Sequence, residues 1–414
     1  MWRKIYLSLS NEVAHNFFYF SVIKFTNILS KYILLGYLIR TLGEQGYGIL
    51  TWVDSFTQYF LILVNFGFDM YVAKYIVENK QNKAKIDEII SAILTIKTGL
   101  FVFGFLLLGL FSFNDEIAKV AHLLFFMLLM GIGEILFPIW YFQGIEKMKP
   151  IAIVSVISRS LLVILTILFV KNANHIVVYI FILVVSNLVW GGLGFYFLKK
   201  VSNFKFIIVP LATLKFYLKE GYLFFLGRFS TLFLNFGTIF LIGYFCSKNL
   251  VSGFDIASKI IFAFIFPFEV IQQAVFPSIV RTRNKVFLQK LVLFTICSAL
   301  FFAGSIYYFS EELMMFFGGI PMGKYAYLLK SLVVLIPVIS SSIIIGSCSL
   351  VAFGALKQYN YALVFSCLIY IFVVLLLYFM RQMSFKNLVI LRISVDIIMV
   401  LLIFYFAVKK KTLL

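Results

Sequence analysis

The series of long apolar segments restricts the fold of this chain more than any other feature of the sequence. Twelve segments reach about 20 residues, the length that a helix needs to cross a bilayer. They are continuously apolar instead of alternating, which argues against a transmembrane β-barrel. Charged residues make up 13% of the chain, against ~25% in typical soluble domains. We therefore predict an all-α polytopic membrane protein with about twelve spans, at residues 14–39, 46–70, 89–111, 118–141, 151–170, 176–198, 217–244, 253–279, 287–309, 325–353, 359–380 and 387–408.

The loops between these segments predict the orientation of the chain. One set of alternate loops carries 21 lysines and arginines, whereas the other set carries 7. Cytoplasmic loops are enriched in these residues, so the richer set and both termini are predicted to be cytoplasmic. The net charge of +19 is then mostly a topology signal, and no nucleic-acid partner is expected.

Eight cations remain inside the predicted spans, and two of them lie in the first span. Lys24 and Lys31 are two helical turns apart and therefore share one face with Asn27. A cation at bilayer depth costs ~2.5–3.5 kcal/mol even on lenient insertion scales. This face must therefore be turned towards protein or water, which predicts a solvated cationic cavity that receives an anionic ligand.

An internal repeat extends this prediction to the second half of the chain. Residues 1–200 and 217–414 each contain six predicted spans and are joined by a cytoplasmic linker at 201–216. Two similar six-helix lobes around a central cavity are typical of secondary transporters. The substrate-binding candidates follow from the matching i, i+3, i+7 spacing in spans 1 and 7, with one further lysine near the periplasmic end of span 8: Lys24, Asn27, Lys31, Arg228, Thr231, Asn235 and Lys259.

Three stretches of the sequence resemble a known transporter family. The run Gly43–Gly48, followed by Asn65–Asp69, is similar to the N-terminal signature of polysaccharide-lipid flippases. The runs Pro138–Met148 and Ala257–Pro277 resemble Wzx-type O-antigen flippases, and the resemblance is concentrated in residues 16–150 and 221–280. It implies membership of the polysaccharide transporter family in the MOP (multidrug/oligosaccharidyl-lipid/polysaccharide) exporter superfamily, which also contains the MATE transporters, with a V-shaped pair of six-helix lobes.

The same resemblance implies a function. The expected activity is translocation of an undecaprenyl-diphosphate-linked oligosaccharide, an O-antigen or related repeat unit, from the cytoplasmic to the periplasmic leaflet of the bacterial inner membrane. It implies no catalysis, cofactor or metal, with the proton gradient or the membrane potential as energy source. A glycan polymerase and a chain-length regulator are candidate partners.

Further charged residues inside the spans are candidates for coupling or gating. Two ion pairs across helical hairpins are expected, one between Asp69 and Lys97 and one between Glu134 and Arg159, which lie at equal depth. Direct substrate contact remains the alternative for Glu134 and Arg159. An intrahelical i, i+4 pair is expected between Arg392 and Asp396. Asp255 and Lys259 also lie at i, i+4, near the periplasmic end of span 8, where Lys259 is expected to face the mouth of the cavity. The coupling or gating candidates are Asp54, Asp69, Glu134, Arg159 and Glu269.

Two other functions fit a polytopic chain. A multidrug exporter, or an exporter of another lipid-linked precursor, has the same architecture, but a multidrug exporter favours acidic cavities that trap cationic compounds. A glycan polymerase or glycosyltransferase is disfavoured because the predicted periplasmic loops are too short for a catalytic loop and carry no paired carboxylates.

Overall fold

A computed structural model describes the backbone of residues 2–413 and the side chains of residues 18–69 and 71–413. Within these residues the chain is helical and contains no β-strand. Nine helices are long and apolar enough to cross a membrane, and a tenth span is formed if the bent pair Ile320–Leu332 and Leu335–Val351 counts as one. The all-α polytopic fold is therefore confirmed, whereas the count of twelve spans is not. Residues 14–17 of the first predicted span lie outside the described side chains.

The first compact unit contains residues 1–42 and 53–229. It begins with most of α1 (Trp2–Asn65) and ends with the first half of α10 (Leu211–Phe245). The helices between them are α2 (Phe68–Glu78), α3 (Lys83–Phe111), α4 (Asp115–Ala118), α5 (Ala121–Leu128), α6 (Met130–Leu136), α7 (Ile139–Gly144), α8 (Lys149–Phe169) and α9 (Ile176–Ser202).

The second compact unit contains residues 43–52 and 230–414. Its broken span continues from α15 into a π-helix, Ile344–Val351, a rare conformation that is found mostly at functional sites. The α-helices that follow α10 are α11 (Lys248–Thr282), α12 (Lys285–Tyr308), α13 (Ser310–Gly318), α14 (Ala326–Leu332), α15 (Leu335–Ile343), α16 (Leu356–Phe379) and α17 (Phe385–Lys409).

Local chemistry explains where these helices begin and break. Asn82, Ser247 and Ser384 precede α3, α11 and α17, and each side chain accepts a hydrogen bond from a backbone N–H of the first turn. The candidate span Phe18–Asn65 has 48 residues, which at 1.5 Å per residue gives ~72 Å, more than twice the thickness of the hydrocarbon core. It is interrupted at Gly43, whose φ of 71° and ψ of 174° are non-helical.

Close helix packing in the first unit depends on two glycines that face each other. Gly133 on α6 lies against Asn187 of α9, and a Cβ at Gly191 would lie 2.5 Å from the Cα of Gly133. Small residues allow backbones to approach in this way, which is a common packing mode in membranes. The α6–α9 contact forms one wall of the cavity described below.

The first half of α10 packs on α2 within the first unit. Tyr71 donates a hydrogen bond to the carbonyl oxygen of Tyr217 at 2.5 Å and stacks on Phe224, and Tyr75 donates to Glu220 at 3.0 Å. Burial and the Glu220 contact raise the pKa of Tyr75, so its hydroxyl remains a donor at neutral pH. These contacts group residues up to Phe229 with the first unit, whereas the predicted lobe boundaries lie at 200 and 217. Those boundaries stay a prediction.

Candidate functional site

A polar cavity of about 260 Å³ lies inside the first unit, among α1, α6, α8 and α9. Three of the five coupling candidates, Asp54, Glu134 and Arg159, line it together. The spacing in sequence does not reveal this meeting, since the three residues come from three different helices. The complete lining consists of Asp54, Gln58, Leu61, Met130, Glu134, Ser158, Arg159, Leu162, Leu183, Ser186, Asn187 and Trp190.

Glu134 is held by a hydrogen-bonded cluster beside this cavity. Asn65 donates from Nδ2 to Glu134 Oε2 at 2.9 Å and accepts from Lys97 Nζ at 2.8 Å. Lys97 also donates to the backbone oxygen of Glu134 at 3.0 Å, and the lysine is only 2% exposed. The expected ion pair between Asp69 and Lys97 is wrong: Asp69 lies within electrostatic reach of Lys97, but Asn65 and the Glu134 carbonyl take up its ammonium group.

Arg159 reaches a different partner from the one predicted. Its Nε donates to Asn27 Oδ1 at 2.9 Å. No ion pair within 4 Å joins Arg159 to Glu134 among the described side chains, so the predicted pair is wrong, although both residues line the same cavity. The physical reason is competition, because Asn65 satisfies the carboxylate and Asn27 satisfies the guanidinium. Asn27, a substrate-binding candidate, is therefore part of this internal contact.

Three further candidate cations lie in the first unit, Lys24, Lys31 and Arg228. Lys24 lies over the ring of its neighbour Phe20 at 5.5 Å, and Lys31 lies over Tyr32 at 5.9 Å. Arg228 is exposed at the midpoint of α10 and makes no hydrogen bond or ion pair with the side chains that the structure describes. It also lies within electrostatic reach of Lys97. Arg228 therefore has a guanidinium fork available for a ligand.

In the second unit, Asn235 is part of a buried contact. It accepts a hydrogen bond from an Nη atom of Arg392 at 2.9 Å, and Arg392 Nε lies 3.0 Å from Asp396 Oδ2. The predicted Arg392–Asp396 pair is thus confirmed. In each unit, the side-chain amide of an asparagine on a long helix accepts a hydrogen bond from an arginine. The asparagine is Asn27 in the first unit and Asn235 in the second. This match differs by about one helical turn from the predicted alignment, in which Asn235 corresponds to Lys31.

The remaining candidates also belong to the second unit. Lys259, a substrate-binding candidate, forms an ion pair with Asp255 at 2.7 Å, and Tyr47 is hydrogen-bonded to both residues. Thr231 lies on α10 and has a contact within the described chain. Glu269 on α11 is half-buried and forms no hydrogen bond or ion pair with the described residues. Whether any of these residues binds substrate stays a prediction.

Sequence reasoning missed two polar residues of the cavity, Ser186 and Asn187. They are adjacent polar residues in the middle of the otherwise apolar helix α9, a signal that the sequence does contain. The Ser186 hydroxyl and the side-chain amide oxygen of Asn187 are buried and have no hydrogen-bond partner among the described residues. Buried polar groups normally have partners, so these two atoms indicate an occupant such as water or another donor.

The cavity is lined by both acidic and basic side chains. It contains two carboxylates and one guanidinium, together with side-chain oxygens that accept hydrogen bonds. A buried carboxylate among such groups can hold or release a proton. No group of three or more His, Cys, Asp or Glu residues is placed to hold a metal ion in the described part of the chain.

Comparisons with solved structures are consistent with the MOP superfamily fold. The chain superposes on an inward-facing multidrug resistance MATE family transporter of that superfamily with a TM-score of 0.75, at 12% identity and 94% coverage of both chains. It superposes on the lipid II flippase MurJ, in an inward closed conformation, with a TM-score of 0.70 at 18% identity, covering 94% of this chain and 87% of MurJ. At such identities these similarities show the fold alone.

Sequence comparisons, and above all a family model, identify the family. A putative O-antigen transporter of Escherichia coli (strain K12) is 26% identical over 272 residues, which are 66% of each chain. One of Shigella dysenteriae is 27% identical over 278 residues, 66% of this chain and 69% of the relative. The matches thus span about two thirds of the curated relatives. The family model described as polysaccharide biosynthesis protein matches residues 13–283. The chain therefore belongs to the polysaccharide biosynthesis protein family.

Proposed function

We propose that this protein is a flippase for a lipid-linked oligosaccharide whose head group carries a diphosphate. The observation that carries the proposal is Arg228, an exposed arginine at the midpoint of a 35-residue apolar helix. In the predicted span 217–244 it lies eleven residues, ~17 Å, from the nearer end, which is deeper than a side chain easily reaches from the interface. Such a residue in a membrane is a functional-site candidate by default.

The chemistry of Arg228 fits an anionic head group. A guanidinium can bind phosphate oxygens through two parallel hydrogen bonds, whereas an ammonium acts as a point charge. Lys24, in the same unit, supplies such a charge, and its ammonium lies 5.5 Å from the centre of the Phe20 ring. We assign the diphosphate of an undecaprenyl carrier to these cations, while the polyprenyl tail remains in lipid. The named O-antigen transporters among the relatives support a glycan as cargo.

The proposed cycle is alternating access, with export from the cytoplasmic to the periplasmic leaflet of the inner membrane and both termini in the cytoplasm. The proton gradient or the membrane potential supplies the energy. The acid-lined cavity of the first unit supports proton coupling, and Glu134 is the proposed proton-binding residue because it lines the same cavity as the buried oxygens of Ser186 and Asn187. A glycan polymerase and a chain-length regulator are proposed partners, since the exported unit must be assembled further.

The test replaces Arg228 or Lys24 by alanine and measures surface polysaccharide together with lipid-linked glycan. We expect both variants to insert normally, to lose export, and to accumulate the lipid-linked sugar in the cytoplasmic leaflet. The matched control is Arg281→Ala, which removes an exposed arginine from the last turn of α11. Normal surface polysaccharide in both the Arg228→Ala and the Lys24→Ala variant would refute the proposal.

A multidrug exporter is the second candidate, and one observation favours it. The cavity of the first unit contains two carboxylates and one guanidinium, a balance that suits a cationic compound. Resistance to cationic dyes that depends on Asp54 and Glu134, with no glycan phenotype on deletion, would favour this function. The named sequence relatives are transporters, so the glycan-polymerase alternative is set aside.

A further inference from the structure

One helix of this chain is divided between the two compact units. Residues 43–52 of α1 belong to the second unit, whereas residues 53–65 belong to the first. The helix has no non-helical residue after Gly43, and residues 49–65 contain neither glycine nor proline. Sharp kinks in helices need such residues, a bulge or an inserted group. Residues 49–65, with the rest of the helix back to Gly43, are called the rod below; its glycine-free part continues along the chain from the second unit into the first.

A buried triangle of side chains fastens the start of this rod within the second unit. Tyr47 donates its hydroxyl proton to Asp255 Oδ2 at 2.6 Å. Lys259 donates to the same carboxylate oxygen at 2.7 Å and to the Tyr47 oxygen at 2.8 Å. Tyr47 is 2% exposed and Asp255 is 4% exposed. Each polar group in the triangle thus has a partner whose loss would leave it buried and unsatisfied.

A second set of polar contacts holds the residue that follows the break. The carboxylate of Glu44 lies 2.6 Å from Lys324 Nζ and accepts a hydrogen bond from the Tyr325 hydroxyl at 3.3 Å. The Ser252 hydroxyl donates to the backbone oxygen of Glu44 at 2.5 Å. Glu44 is therefore held through both its side chain and its main chain.

Close packing completes the attachment. Trp52 donates from Nε1 to the carbonyl oxygen of Phe240 at 3.0 Å, and the ammonium of Lys248 lies 3.2 Å from the centre of a Trp52 ring. A Cβ at Gly48 would clash with the backbone carbonyl of Lys248. The rod thus approaches α11 at backbone distance.

We propose that these contacts form a releasable fastening, the Tyr47 clip, defined as Tyr47, Asp255 and Lys259 with Glu44 and Lys324. Any displacement of one unit against the other must bend residues 49–65, which have no kink site, or move the segment that the clip holds, because Gly48 is packed against the backbone of Lys248 and has no room to bend. The free energy needed to open the clip is smaller when water reaches its polar groups, because each hydrogen bond lost within the protein is replaced by one to water. In the transport cycle of the proposed flippase, the clip therefore opens and closes once.

Gly43 allows the other end of the segment to adjust. It is exposed, has a φ of +71°, and has no atom within 4 Å of where a Cβ would stand. Few residues tolerate this conformation, and glycine does so at no steric cost. The chain can therefore pivot at Gly43 when the clip opens, while the rod itself stays straight.

The first test measures opening without any substrate. A single cysteine at Ser252, which is fully buried beneath the clip, is introduced into full-length protein whose four native cysteines are replaced by alanine. Tyr47→Phe removes two hydrogen bonds to charged partners, so we expect maleimide labelling in nanodiscs at least tenfold faster. Tyr222→Phe, the same change at an exposed tyrosine, should leave the rate unchanged. Equal labelling of Tyr47→Phe and the parent overturns the proposal.

The second test closes the clip covalently. Cysteines at Glu44 and Lys324, whose side chains contact each other, are joined by a bifunctional maleimide with a reducible disulfide in its spacer, since a direct disulfide needs Cβ atoms ~3.5–4.5 Å apart. The cross-link is expected to lower glycan export, and reduction should restore export to the level of the same double-cysteine protein before cross-linking. Full export by the cross-linked protein also overturns the proposal. Maleimide labelling measures the opening of the clip without any cargo. A failed Arg228→Ala test would therefore refute the proposed flippase function, and the labelling rates would still test the clip.

Discussion

Adjacent glycines on α9 allow a prediction whose magnitude follows directly from the structure. A Cβ on Gly191 would stand 2.5 Å from Gly133 Cα and 2.6 Å from its carbonyl oxygen, whereas a Cβ on Gly192 would meet nothing within 4 Å. The favourable distance between carbon atoms is ~3.5–4.0 Å. Gly191→Ala therefore requires α6 and α9 to separate by ~1 Å, since a backbone atom cannot rotate out of the way as a side chain can.

The two substitutions share every other effect. Each adds one methyl group and gains the same ~0.8–1 kcal/mol of helix propensity, so this gain cancels when they are compared. Overpacking costs ~1–3 kcal/mol, and the rigid neighbour places Gly191→Ala towards the upper end. We expect Gly191→Ala to be ~2 kcal/mol less stable than Gly192→Ala. For a chain of this length, ~2 kcal/mol corresponds to ~2 °C in the unfolding midpoint.

The assay is thermal unfolding of both purified variants in the same detergent, followed by tryptophan fluorescence. Trp190 lies next to the substituted position and lines the cavity, so its emission also reports on the cavity wall. We expect the midpoints to rank Gly192→Ala at or above the parent and Gly191→Ala below it. Equal midpoints, or a higher midpoint for Gly191→Ala, would refute the close α6–α9 approach and the cavity shape that depends on it.

Two further predictions concern the cluster beside the cavity. Lys97→Met removes the ammonium that donates hydrogen bonds to Asn65 and to the Glu134 carbonyl. Breaking a buried charged cluster commonly costs ~3–5 kcal/mol of stability, so the unfolding midpoint should fall well below that of Gly191→Ala. An unchanged midpoint would contradict the cluster. Glu134→Gln keeps an oxygen for Asn65 but cannot carry a proton, so export in energised vesicles should no longer respond to an imposed pH gradient, and a full response would exclude Glu134 as the coupling residue.

The sequence alone determined the class of the protein and several of its local contacts. Long apolar segments leave only helices as spanning structures, because every backbone polar group must be satisfied inside the segment. Pairs at i, i+4 need no tertiary information, since one helix places both side chains on the same face. The pairs Asp255–Lys259 and Arg392–Asp396 were predictable for this reason. The family was also readable, because its motifs lie in continuous stretches of the chain.

Tertiary structure alone decided which partners the other buried charges found. Equal depth predicted that Glu134 and Arg159 are neighbours but could not predict that Asn65 and Asn27 compete for them. It also decided that Tyr47 joins Asp255 and Lys259 across more than 200 residues of sequence. Depth along a helix follows from the residue count, whereas the choice among partners at one depth depends on how neighbouring helices rotate and approach. That choice is set by packing, here by glycines such as Gly133 and Gly48 that bring backbones together.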